Sequence, residues 1–340
     1  MKHCRLALVA SPVIVLCLVA CLSVRAAEAV TWDQEGKLLA SDGTANDQFG
    51  WSVGISGNYA VIGAPYDSAG GALAGSTYVY ERTGSAWTQV ARLLAADNQP
   101  GDYFGVSSAI SATTAIFGAY GDDDCGTSSG SAYIFDRGLS GWTQTVKLHA
   151  TDGAANNYFG TSVGISGTSA IIGAHGVGDC GTQSGAVYIF DKGVSGWTQT
   201  AKLHALDAAA GDQFGASAGI SGKTVIVSAH MDDDCGTSSG AAYIFEKGVT
   251  DWTQTAKLLP NDGAAGDFFG NSVAVSGTTA LVGAVYDNAS GTFSGSAYVF
   301  EKGGSGWTQT ANLTPLDAAP GDLFGVSVAI SGTFAIVGAY

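Results

Sequence analysis

The chain has 340 residues, with 29 acidic and 14 basic side chains and a formal charge of −15. No basic stripe interrupts that acidity, which argues against nucleic acid or an anionic membrane surface as partner. Hydrophobic residues make up 46% and aromatic ones 10%, which is enough to bury a core and argues against disorder in spite of 50 glycines.

Residues 1–29 stand apart from the fold. Lys2 and Arg5 precede an apolar run at 6–24, and Ala27-Glu28-Ala29 offers a small-x-small cleavage site. The preferred reading is a secretory signal peptide cleaved after Ala29. The alternatives are a bacterial lipoprotein signal, with Leu18-Val19-Ala20-Cys21 as lipobox and Cys21 as the lipidated residue, and an uncleaved anchor. The first two export the chain, so a secreted or cell-surface location is expected, with no transmembrane segment in the mature protein. Setting aside Lys2, Arg5, Arg25 and Glu28 leaves 28 acidic and 11 basic residues for 30–340, which reads as one domain.

Segment 32–40 reads as a lone strand of the kind that closes each later repeat. A Phe-Gly pair then begins at Phe49, Phe104, Phe159, Phe214, Phe269 and Phe324, each 55 residues after the last. Four strand signals fill each interval. The first carries Val53 and Ile55, or Val163 and Ile165, on one side and Ser or Gly on the other, which suits a crowded place where sheets converge. A Ser-Gly turn leads into the second, a continuous apolar run at 60–64, 170–174 and 335–339. The third is aromatic, as in Tyr133-Ile134-Phe135. In the fourth, at 142–148, alternation places Trp142, Gln144, Val146 and Leu148 on one side, and Thr143, Thr145 and Lys147 on the other. Polarity rises from the first strand to the fourth, as expected of an exposed edge.

Four antiparallel strands per 55-residue repeat describe an all-β fold, a β-propeller blade by blade, with the Phe-Gly and Trp positions packing one blade on the next. Six blades are visible, the last incomplete. Segment 327–340 supplies two strands, which the N-terminal strand would join, but a third strand is missing. A sequence truncated at its C-terminus is therefore expected, and a seventh blade stays open.

Phe-Gly, an apolar hairpin and then Gly63-Ala64-Pro65 resemble the FG-GAP repeat of integrin α-chain propellers and related bacterial secreted proteins. Later copies drift at the proline, as in Gly118-Ala119-Tyr120 and Gly173-Ala174-His175. The resemblance implies adhesion or recognition of extracellular ligands. The D-x-D-x-D-G calcium loop of the integrin family, between strands one and two, is replaced here by the tight turns at 166–168 and 276–278, so that site is not carried over.

The acidic residues concentrate in two sets of loops expected at one end of the blades. Those between repeats carry Asp42, Asp47, Asp97, Asp102, Asp152, Asp207, Asp212, Asp262, Asp267, Asp317 and Asp322. Those between strands two and three carry Asp67, Asp122, Asp123, Asp124, Asp179, Asp232, Asp233, Asp234 and Asp287. No Lys or Arg lies in these loops. Aspartates five apart, such as Asp262 and Asp267, read first as turn formers and otherwise as ligands for a hard cation such as calcium. The triplets 122–124 and 232–234, together with Asp179, are preferred for ligand or cation contact, because adjacent carboxylates repel without a counterion. Cys125, Cys180 and Cys235 recur 55 apart, on separate blades and too far apart for a disulfide. His175 and His230, each five residues before a cysteine, leave a soft-metal site conceivable. No serine has a nucleophile-elbow context, and the carboxylates repeat rather than form one differentiated pair.

The expected function is that of an exported, non-enzymatic binding or adhesion propeller. Its acidic face would recognise an extracellular protein or polysaccharide, with calcium as the one candidate cofactor. The alternatives are a polysaccharide hydrolase or lyase, and a structural module of a longer surface protein.

Overall fold

The computed structural model describes residues 36–339. They form five four-stranded antiparallel sheets and a final two-stranded one, each strand paired with its neighbours in chain order. Numbered in chain order, sheets 1 to 5 span 52–93, 107–148, 162–203, 218–258 and 269–313, and the two-stranded one 328–337. In sheet 2 the strands are Ser107–Ser111, Thr114–Ala119, Ser131–Gly138 and Gly141–Leu148. The apolar run of the second strand is buried on both faces from Ala115 to Ala119, and the fourth strand forms the polar edge. The Ser-Gly turn works because its second residue needs a positive φ, 59° at Gly167; at the equivalent Ala112 a side chain is held at 53°. Each turn serine also accepts the N–H of the next sheet's turn, as from Ala112 to Ser56 Oγ (3.0 Å) and from Gly167 to Ser111 Oγ (3.1 Å).

The sheets share no extended ladder; single parallel bridges, as between Gly75 and Phe104 or Gly130 and Phe159, and side-chain packing join each to the next repeat. The first strands lie against one another in succession. Five of the six apolar clusters mix two sheets: Val61, Val79 and Leu93 of sheet 1 pack with Phe104, Phe117, Tyr133 and Phe135 of the next repeat. Phe104 is fully buried there, with its ring 5.4 Å from that of Tyr133. The glycine after it presents its carbonyl to the preceding sheet, where Ser52 Oγ donates to Gly105 O (2.7 Å). Ser107, Ser162 and Ser272 repeat that bond to Gly160, Gly215 and Gly325. A Cβ on Gly63, Gly118, Gly173 or Gly283 would come within 2.0 Å of that carbonyl oxygen, so glycine in the second strand is what lets two backbones approach.

Two expectations are corrected. Residues 36–40 form no strand; Leu38 and Ala40 pack on sheet 1 as an unpaired segment, and among the described residues the last pair has no third strand. The signal segment and residues 32–35 lie outside the described residues. In the fourth strand, a register shift pairs Ile134 with Val146 but Phe135 with Gln144, so Thr145 is an extra residue. That bulge inverts the alternation. Trp142 packs into the junction with the preceding sheet, Val146 and Leu148 into the junction with the next, and Lys147 turns to Trp142's side. No helix among the described residues is long and apolar enough to cross a membrane.

Candidate functional site

The bulge decides where the fourth strand's basic residue goes. Lys147 lies opposite Tyr133, its ammonium 5.4 Å from the ring centroid, and reaches Asp97 (2.7 Å), Asp122 (2.8 Å) and Asp124 (2.6 Å). In sheet 4, Lys257 does the same to Asp207 (2.7 Å), Asp232 (2.9 Å) and Asp234 (2.6 Å). Lys202 joins Asp152 (2.6 Å) and Asp179, and Arg92 joins Asp42 and Asp67, both at 2.5 Å. The expectation of carboxylates without a counterion is therefore overturned: the cation comes from an edge strand, not from the loops. The ion pairs hold the Asp122 carboxyl below its ordinary value, although burial pushes the other way. The same three aspartates hold the Lys147 ammonium above its own.

The structure separates residues that the sequence groups. Asp97, Asp122 and Asp124 converge closely enough to share one cation, as do Asp207, Asp232 and Asp234. Asp123 and Asp233 leave these groups to accept the N–H of Ser128 (2.6 Å) and Ser238 (2.7 Å). The aspartates five apart also part company. Asp47, Asp102, Asp212, Asp267 and Asp322 turn inward and accept the N–H three residues earlier, from Thr44, Gln99, Ala209, Ala264 and Ala319, as turn formers. Asp42, Asp97, Asp207 and Asp262 face the next fourth strand instead. Asp317 is exposed. Burial raises the Asp102 carboxyl to about 6, and it pushes Asp212 and Asp267 upward as well.

Cys125, Cys180 and Cys235 are exposed and unpaired, in keeping with their expected separation. Neither His175 nor His230 falls in a metal-binding group with a cysteine among the described residues.

The sequence reading missed a ladder of rings at the same end of the sheets. The residue before each Phe-Gly alternates with one just beyond the second strand: Tyr66 to Tyr103 (5.6 Å), Tyr103 to Tyr120 (5.1 Å), Tyr120 to Tyr158 (6.1 Å) and Tyr158 to His175 (5.0 Å). After Gln213 the ladder resumes through His230, Phe268 and Tyr286. Tyr103, Tyr158 and Phe268 have φ of 56°, 56° and 54°, a left-handed turn that Gln48, Gln213 and Leu323 share at 55°, 55° and 51°, so the repeat's own turn sets where these rings stand. Burial lowers both histidines, His230 to about 4, so they stack as neutral rings. Their Nδ1 atoms are buried without a partner. The missed signal was an aromatic or histidine recurring just before Phe-Gly and just after Gly-Ala.

No curated protein matches the chain. Among solved structures, a functionally unknown protein from Desulfotomaculum acetoxidans DSM 771 is 11% identical, covering 76% of this chain and 67% of its own, with a TM-score of 0.47. The FG-GAP repeat model matches residues 32–80, 87–135, 142–190, 197–245, 252–300 and 307–340. With that repeat accounting for most of the sequence and one β-propeller-like sheet answering to each copy, the chain belongs to the FG-GAP repeat family.

Proposed function

We propose that the protein is an exported binding module and that its ligand is an extracellular protein, docked through a basic segment onto the aromatic ladder. The observation that carries this is the ladder itself, running from Tyr66 to His175 and from His230 to Tyr286 within the acidic loops. Ring faces attract guanidinium and ammonium groups, and an excess of carboxylates around them steers cations toward them. The Lys147 and Lys257 groups each keep two more carboxylates than ammoniums, so the face stays negative after internal pairing. Repeated, lysine-filled carboxylate sets support binding over hydrolysis, which needs one acid and one base made different by their surroundings.

Calorimetric titration with an arginine-rich decapeptide tests this. Affinity is expected to fall with added salt, and Tyr103→Ala or Tyr158→Ala is expected to weaken it about tenfold while circular dichroism stays unchanged. Binding of neutral oligosaccharides in place of the peptide would move the reading to a polysaccharide ligand.

A further inference from the structure

Four of the five complete sheets place a basic head group at one position of the fourth strand: Arg92, Lys147, Lys202 and Lys257. The fifth places Asn312 there. The acidic partners remain. Asp262 stands where Asp97 and Asp207 do, and Asp287, almost fully buried, stands where Asp122 and Asp232 do. Among the described residues no Lys or Arg pairs with either. Asp262 Oδ2 accepts a long bond from Asn312 Nδ2 (3.2 Å). Asp287 accepts from the Ala289 N–H (2.8 Å) and the Tyr298 hydroxyl (2.7 Å), which leaves each of its oxygens a further lone pair.

A second, independent observation lies beside these carboxylates. Ser296 is fully buried and its hydroxyl has no hydrogen-bond partner. In sheets 1 and 2 the serine at this position donates to the buried aspartate, Ser76 to Asp67 (2.7 Å) and Ser131 to Asp122 (3.0 Å). Ser296 occupies the same place next to Asp287 without making that bond. A buried hydroxyl left unpaired is costly, and its oxygen is free to serve as a ligand.

We propose that sheet 5 holds a hard divalent cation, calcium, bound by Asp262, Asp287, Ser296 and the carboxamide oxygen of Asn312 once that amide turns over. Two uncompensated carboxylates match a double positive charge, and every donor is oxygen, the ligand set calcium prefers. A soft metal does not fit, because the cysteine of the preceding loops is Ser290 here. In the other sheets the ammonium or guanidinium already occupies the corresponding place, so the site is confined to one repeat. This inference rests on the acidic face but not on the ligand proposed for the ladder.

The test is titration of the protein with calcium chloride at fixed ionic strength, followed by calorimetry and by terbium luminescence sensitised by Tyr298. One calcium per chain is expected. Asn312→Lys, which installs what four sheets already carry, is expected to lose binding at least tenfold, to fold as before, and to bind the arginine-rich peptide unchanged. The folded Lys147→Asn variant is expected to take up a second calcium. A response no larger than that to sodium, or calcium binding retained in Asn312→Lys, overturns the proposal.

Discussion

Sheets 4 and 5 are built on one plan and differ in two places that matter. Where sheet 4 sets Lys257 among Asp207, Asp232 and Asp234, sheet 5 sets Asn312 beside Asp262 and Asp287. Where sheet 5 has Gly283 under the Gly325 carbonyl, sheet 4 has Ser228. Ser228 Oγ accepts the Ser217 N–H (2.9 Å), and Ser217 no longer reaches the glycine of the next repeat; its hydroxyl accepts from Val273 N instead (3.2 Å). The first strand of sheet 4 shortens to Ala218–Ser221, and its neighbour in sheet 5 lengthens to Phe269–Ser276. The repeat therefore tolerates change at either position, but by different means. A lost charge is left for something else to balance, whereas an added Cβ is absorbed by shifting a strand.

The largest effect should come from breaking the charge arrangement that distinguishes the two sheets. Lys257→Ala leaves Asp232, nearly buried, among two other carboxylates, and is expected to cost about 3–4 kcal/mol in chemical denaturation. Asn312→Ala removes one long hydrogen bond and should cost about 1 kcal/mol or less. Equal losses at the two positions would mean that the lysine does not compensate its aspartates.

The glycine position gives the next largest difference. Gly283→Ala would bring a Cβ to 2.0 Å from the Gly325 carbonyl oxygen with no strand already adjusted to receive it. It is expected to destabilise by about 2–3 kcal/mol, while Ser228→Ala, in the sheet that has adapted, should cost about 1 kcal/mol through its lost hydrogen bond.

A smaller effect separates the paired aspartates from the turn formers by pH. Asp102, almost fully buried and without an ion pair of its own, titrates at about 6 in the folded protein against about 3.9 unfolded. Its contribution is therefore fully present below about pH 4 and is lost as pH rises through 6. Asp122 has the opposite sign: its folded value is depressed, so its contribution is present above about pH 4 and lost as pH falls. Asp102→Asn keeps an acceptor for the Gln99 N–H, and should stabilise by about 1–2 kcal/mol at pH 7 with little effect at pH 4. Denaturation midpoints at the two pH values check the sign.

The sequence by itself determined the repeat, the four strands of each sheet and the Phe-Gly junction, because these rest on local periodicity copied at a fixed spacing of 55 residues. Phe104 at the junction and the apolar second strand from Thr114 to Ala119 were legible in that pattern. The turn role of Asp102 was legible too, since it needs only a neighbour three residues away. Only the tertiary structure decided which charges meet. Lys147 and Asp97 are 50 residues apart in sequence, and one extra residue at Thr145 turns the lysine from one face of its strand to the other. A bulge leaves no mark in an alternating pattern of Trp, Gln and Val, so simple alternation put Lys147 on the wrong side. The same limit hid the aromatic ladder. Tyr103 and Tyr120 approach because two loops of one repeat converge on the same end of their sheet, a proximity that no spacing along the chain encodes.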